Sequence, residues 1–284
     1  MRLEVMGEGR LLDDRGEVCL GPGIPLVLLT YLSTQSLPVH RDDLAVLFWP
    51  GKSRTLALQS LRQTLTRLRS VLPDGILVES GRSLTVAPGA LASDARALEA
   101  AAGAGHAEAA LAAWGGRFLE GLRSVGGWEL ERWHDLEQAR LEARLAGAVL
   151  QGARSRQEEG AHDQALALLR QARGCLPGEL ELAEALFHAL LAADDRTGAR
   201  ALLEELEVEE EMALVARLRE ALERRPAPQQ TQVVVPEAQE RARRSGAPGG
   251  RNGEGVPSGG PRPLPDGGAR RARPGRHRWL AVAA

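Results

Sequence analysis

Residues 51 to 73, GKSRTLALQSLRQTLTRLRSVLP, constrain this chain more than any other segment. Leu58, Leu61, Leu65, Leu68 and Leu72 recur at threes and fours, so a 3.6-residue helix gathers them onto one stripe that has to be covered. The other faces carry Gln59, Arg62, Gln63, Thr66, Arg67 and Arg69. From Gly51 to Pro73 there are five basic side chains (Lys52, Arg54, Arg62, Arg67, Arg69) and no carboxylate. A helix of this kind buries one side in a core and leaves a cationic, amide-bearing side for phosphates and base edges. Arginine pairs bidentately with guanine and glutamine with adenine. Taken alone, a solvated face on an ordinary helix accounts for the pattern equally well. The neighbouring segments break the tie.

The GKS at 51 to 53 looks like the end of a phosphate-binding loop, G-x-x-x-x-G-K-[ST], whose backbone N–H groups wrap phosphates between a strand and a helix. Here the position of the first glycine is Val46, and LAVLFW reads as a helix ended by Pro50. Nucleotide binding by Gly51, Lys52 and Ser53 is therefore set aside.

Ahead of the basic helix lie PLVLLTYLSTQ (25 to 35), with a proline suited to a first helical turn, and HRDDLAVLFW (40 to 49), where His40 is a weak cap and Asp42 and Asp43 favour a helix N-terminus. After it comes ILVESGRSLTVAP (76 to 88), two apolar runs around ESGR that read as a β-hairpin. Helix, helix, basic helix, hairpin is the order of a winged helix-turn-helix, in which the third helix enters the major groove and the wing, with Arg82 near its tip, reaches adjacent phosphates or the minor groove. Short β-like runs with turn signals in MRLEVMGEGRLLDDRGEVCL add a sheet in front, as in OmpR-like winged helices.

With these elements in place, LLTYLSTQSLPVHRDDLAVLFWP, ALQSLRQTLTRLRSVL and LVESGRSLTV resemble the DNA-binding half of AfsR/SARP-type bacterial transcriptional regulators. The resemblance continues through SDARALEAA, WGGRFLEGL and GWELERWHDLEQARLEA into the helical bacterial transcriptional activator domain of that family, covering about residues 1 to 225. Two departures stand out. Arg82 follows the wing glycine where an aromatic is common, and Cys175-Leu176-Pro177-Gly178 lacks an aspartate before the proline. The resemblance implies tandem binding to direct repeats of double-stranded DNA as a homo-oligomer, and recruitment of RNA polymerase by an activator.

The second half reads as helical without the family. From Ser93 to Arg225 it is rich in Ala, Leu, Glu and Arg, shows no strand pattern, and has Pro177 as its one proline. Ala165-Leu166-Ala167-Leu168-Leu169 and Ala199-Arg200-Ala201-Leu202-Leu203 share A-x-A-L-L 34 residues apart, the tetratricopeptide (TPR) period. Ala165, Ala172 and Pro177 match that repeat's small residues and terminal proline; a generic helical bundle is the plainer alternative. The expected fold class is mainly α: a winged helix-turn-helix (1–90), an all-α TPR-like domain (91–225) and a disordered Gly/Pro/Arg-rich tail (226–284).

Charge separates these segments. Residues 1–90 carry 10 basic and 9 acidic side chains, 91–225 carry 16 and 25, and 226–284 carry 10 and 4. An acidic helical module is repelled by DNA and suits self-association or protein contacts. The tail, dense in Gly, Pro and Ser, cannot bury enough surface to offset chain entropy. Its end, RRARPGRHRWLAVAA, resembles the cytoplasmic edge of a membrane helix, but WLAVAA falls far short of the ~20 residues needed to span. A basic tail with weak affinity for nucleic acid or anionic lipid is the favoured reading, and a truncated membrane-tethered regulator the alternative.

No apolar signal-peptide core follows Met1, and Cys19 and Cys175, far apart in sequence, read as free buried thiols of a cytoplasmic protein. Trp49, Trp114, Trp128 and Trp133 are expected in cores. His134, Asp135 and Glu137 match no metal-ligand spacing, no nucleophile or metalloprotease motif occurs, and neither a cofactor nor catalysis is expected. The rival to a DNA-binding regulator is a helical-repeat adaptor that binds only proteins. The candidate DNA contacts are Gln59, Arg62, Gln63 and Thr66 for bases, and Lys52, Arg54, Arg67, Arg69 and Arg82 for phosphates.

Overall fold

A computed structural model describes residues 1–208 and 211–223. Three short strands open the chain, β1 (Arg2–Glu4), β2 (Arg10–Leu12) and β3 (Val18–Leu20). Helix α1 (Ile24–Thr34) follows, with Pro25 in its first turn, where a missing N–H costs nothing. Then come β4 (Val39–His40), α2 (Arg41–Phe48) and α3 (Arg54–Arg69). His40 caps α2, its side chain accepting the Asp42 N–H at 3.3 Å. The hairpin expected around ESGR forms as β5 (Leu77–Ser80) and β6 (Ser83–Val86), followed by β7 (Ala92–Ser93). Seven helices complete the described chain: α4 (Asp94–Gly103), α5 (Ala107–Ala113), α6 (Trp128–Glu158), α7 (His162–Cys175), α8 (Leu180–Ala192), α9 (Arg196–Val208) and α10 (Met212–Glu223). The fold is mainly α, a winged helix-turn-helix with a sheet ahead of it and TPR-like helical pairs behind it.

One sheet has the order β3-β2-β1-β7 and the other β4-β6-β5. Their leucines meet the inner sides of the first three helices: Leu3 and Leu11 from the sheet, Leu26, Leu28 and Leu29 from α1, Leu44 and Phe48 from α2, and Leu61, Leu65 and Leu68 from α3 share one core. Each leucine fully removed from water contributes roughly 2 to 3 kcal/mol. The stripe on α3 differs from the sequence expectation at its start, where Ala57 is buried and Leu58 only half-buried.

This core does not end at residue 90. Phe118, Leu119, Leu130 and Leu141 belong to it, and Trp114 packs against it and against the second, helical core. The strand pairing responsible is easily overlooked in a helical stretch: β7 runs parallel to β1, Arg2 opposite Ala92 and Leu3 opposite Ser93. Immediately afterwards Asp94 accepts the backbone N–H groups of Val5 and Met6 at 2.9 Å. Burial pushes the Asp94 carboxyl upward, opposed by the N–H groups of Met6, Val5 and Ala95. Residues 115–120 close on the far side, Leu119 N–H donating to Val5 O and Glu120 N–H to Gly7 O, both at 2.7 Å. Gly115 is what lets the two backbones meet, because a Cβ there would stand 2.6 Å from the Met6 carbonyl oxygen.

In the second core the repeat spacing becomes geometry. α7 and α9 begin at His162 and Arg196, and Ala165, Ala172 and Ala199 are fully buried where paired helices approach. Cys19 and Cys175 are free thiols but half-buried rather than buried, and burial pushes the Cys175 thiol up. Trp49, Trp114 and Trp133 pack against the cores, whereas Trp128 is 68% exposed. It is the first residue of α6, two positions ahead of Leu130, where that helix enters the core. The expected tail, 226–284, lies outside the described residues.

Gly115→Ala should lower stability by about 1 to 3 kcal/mol, the usual range for overpacking against backbone. A thermal or urea melt checks it; an unchanged midpoint would mean that residues 115–120 do not clamp the first strand.

Candidate nucleic-acid interface

α2 stops at Phe48, and Trp49, Pro50 and Gly51 make the turn to α3. The segment before GKS is thus helix, and Lys52 turns its backbone N–H to Trp49 O at 3.1 Å and its Nζ to Ser60 Oγ at 2.9 Å. That is the geometry of a helix-turn-helix elbow and not of a phosphate cradle.

The inner side of α3 is fixed by Leu61, Leu65 and Leu68, so its 3.6-residue period leaves Lys52, Arg54, Gln59, Arg62, Gln63, Thr66, Arg67 and Arg69 all exposed. Thr55 and Leu56 complete the outer face, and Leu56 is 54% exposed. The spacing of this leucine attaches it to no stripe, so nothing in the sequence pattern marks it as part of a polar face. Apolar side chains contact the thymine methyl. The exposed Thr66 donates its hydroxyl to Arg62 O at 3.0 Å.

The cations divide into two groups. Arg62 and Arg67 have no side-chain partner among the described residues. Arg54, Arg69 and Arg82 are held by carboxylates. Arg54 Nε and Nη2 lie 2.9 and 2.7 Å from Asp42 Oδ1, and Arg82 Nη2 lies 3.0 Å from Asp42 Oδ2. Arg69 pairs with Glu79 of β5, which also takes Arg41 at 2.7 Å. Along the sequence Asp42 is no more than a helix-terminus charge, and Glu79 part of a turn. Their second role depends on where the wing folds, which no spacing along the chain reveals.

The wing is a tight hairpin. Ser80 faces Ser83 across a two-residue turn, Gly81-Arg82, with Gly81 at φ +60°. A first turn residue of that kind favours glycine, as in type II′ hairpins. β6 pairs with β4, and the Arg41 N–H donates to Arg82 O at 2.9 Å, so the wing tip lies against the start of α2. This is why Arg82 meets Asp42 and, through it, Arg54.

Away from this face, His134 Nδ1 lies 3.6 Å from Asp135 Oδ1, while Glu137 pairs with Arg140 at 2.5 Å. His134 is buried beside Phe118, with ring centroids 5.5 Å apart. The hydrogen-bonded Arg123 guanidinium holds the Asp135 carboxyl down to about 2, and burial pushes the Glu137 carboxyl up. Among the described residues no group of three or more His, Cys, Asp or Glu side chains is placed to hold a metal ion.

No protein-family model and no curated protein matches the chain. Among solved structures it is similar to Mycobacterium tuberculosis EmbR in complex with a low affinity phosphopeptide, with a TM-score of 0.58 and 20% sequence identity over 78% of this chain. The chain spans 64% of the length of that structure. The likeness is one of fold.

Gly81→Ala should strain the wing turn by about 1 kcal/mol. Hydrogen exchange at the Arg41 amide, which the wing tip protects, should accelerate severalfold; unchanged protection would detach the wing from the start of α2.

Proposed function

We propose that this protein is a sequence-specific, double-stranded DNA-binding transcriptional regulator, with α3 as the helix that enters the major groove. The observation that carries this reading is the outer face of α3: exposed Gln59, Arg62, Gln63, Thr66 and Arg67 with no acid among them, on a helix whose other side is locked into a core. Gln59, Arg62, Gln63 and Thr66 are assigned to base edges. Lys52, Arg67 and Arg69 are assigned to phosphates, with Arg54 and Arg82 near them at the helix start and the wing.

The division into a DNA-binding domain (1–90), a helical activator domain (91–225) and a tail (226–284) belongs to the same proposal. So do tandem occupancy of direct repeats by a homo-oligomer, recruitment of RNA polymerase, and action in the cytoplasm as an activator without catalysis or a cofactor. Support for these comes from the resemblance to AfsR/SARP-type regulators. No helix among the described residues is long and apolar enough to cross a membrane.

A second reading, a protein-binding adaptor without specific DNA recognition, draws on the cleft of about 450 Å³ beside α6, α7 and α8, lined by Leu150, Arg154, Glu181, Glu184 and His188. Salt separates the two, because displacing counterions from phosphates gives DNA binding a steep salt dependence that a protein adaptor lacks.

Purified protein should enrich a repeated motif from fragments of its own genome, with binding that falls steeply between two salt concentrations. Arg62→Ala should cost about 1 to 3 kcal/mol on the selected motif and relax the preference at one base position. A uniform loss on every sequence would reassign Arg62 to a phosphate, and no enrichment at either salt would leave the adaptor reading ahead.

A further inference from the structure

Among the arginines that carboxylates hold, Arg54 at the start of α3 and Arg82 at the wing tip share a single acid, Asp42, as Arg41 and Arg69 share Glu79. Asp42 stands in the first turn of α2 with its carboxylate 22% exposed, and both oxygens are used: Oδ1 by two nitrogens of Arg54, Oδ2 by Arg82. The His40 Nδ1 lies 3.4 Å from the same Oδ2. Arg54 and Arg82 are themselves more than 60% exposed, on the side where α3 begins and the wing ends. An ordinary surface pair between two flexible side chains is weak because both lose freedom in forming it. Here the carboxylate is fixed on a helix, one arginine makes two bonds to one oxygen, and the backbone of the other is pinned by the Arg41 N–H. Three elements, α2, α3 and the wing, share one negative charge. Asp43, next along α2, is exposed and has no such partners among the described residues.

We propose that Asp42 is a built-in counter-charge that withholds Arg54 and Arg82 from the phosphate backbone and thereby limits the sequence-independent part of DNA affinity. The inference rests on the DNA-binding reading and adds a regulator of selectivity to it. Each cation that neutralises a phosphate strengthens binding to every sequence alike, and so narrows the margin between an operator and the rest of a genome. Lys52, Arg62 and Arg67, which no carboxylate holds, remain to anchor the helix. Removing the Asp42 charge frees two arginines at the rim of the same face.

The test uses the full chain and a fluorescent 30-base-pair duplex of mixed sequence, titrated at 50 and 200 mM salt. Asp42→Asn, which keeps the side chain's shape, should bind this duplex more tightly than the unsubstituted protein. Its affinity should also fall by an additional factor of roughly ten between the two salts, about threefold for each arginine released. Arg54→Gln with Arg82→Gln should abolish the gain in the Asp42→Asn background; a gain that survives their loss would also overturn the proposal. Asp43→Asn, which removes a first-turn acid without touching the arginines, should behave like the unsubstituted protein. A thermal melt of each variant establishes that it is folded. Weaker binding by Asp42→Asn would make Asp42 a residue that presents the arginines to phosphate, and an unchanged salt slope would make the pairs irrelevant to DNA; either overturns the proposal. If the unsubstituted protein and Asp42→Asn both ignore DNA at 50 mM salt, the DNA-binding reading falls and the inference falls with it.

Discussion

The structure depends on how its first strand is satisfied. β1 is three residues long, and three residues of strand cannot hold a fold by their own ladder. Beside its neighbour β2 on one edge, what secures it comes from distant parts of the chain: β7 on the other edge, the Asp94 carboxylate on the Val5 and Met6 N–H groups, and the 117–120 backbone on Val5, Met6 and Gly7. Those backbone groups are partly buried and would be costly without partners. Asp94 is thus at once the first residue of α4 and the end of the sheet's hydrogen bonding, and the winged-helix and helical parts are joined by polar bonds as well as by apolar contact.

From that junction the arrangement of the candidate interface follows. The sheet seats α1, α1 and α2 seat the leucine side of α3, and the outer side of α3 is left to solvent because every other side is occupied. Gly127 N–H donates to Leu47 O at 3.2 Å, so the start of α6 also touches the helix that precedes the elbow. The interface is rigid on its inner side and electrostatically divided on its outer one, with Asp42 and Glu79 each holding two arginines.

Much of this was legible from spacing. The period of Leu61, Leu65 and Leu68 carries the direction of α3, Pro25 and Pro50 mark helix ends, Glu79-Ser80-Gly81-Arg82 marks a hairpin turn, and the 34-residue recurrence of A-x-A-L-L marks the paired helices. These are local signals, and local periodicity survives in a single sequence. What stayed hidden joins residues far apart. The pairing of Arg2–Leu3 with Ala92–Ser93, the entry of Phe118 into the first core, and the capture of Arg82 by Asp42 across 40 positions leave no trace in spacing. Trp128 misled for a related reason, since hydrophobicity says that a side chain prefers a core and not that one is within reach.

The parallel pairing of β1 with β7 has a consequence for how the protein is made. The parallel partner of β1 is made some 90 residues after it, and Phe118, Leu130 and Leu141 later still. Residues 1–90 therefore emerge with an edge unpaired and a core incompletely covered, and cannot reach their final packing until the beginning of α6 has been synthesised. Contacts of such wide sequence separation form slowly because the chain between them must first be ordered. In this protein the winged helix is therefore among the last parts to be finished, although its own elements precede the residues that complete it.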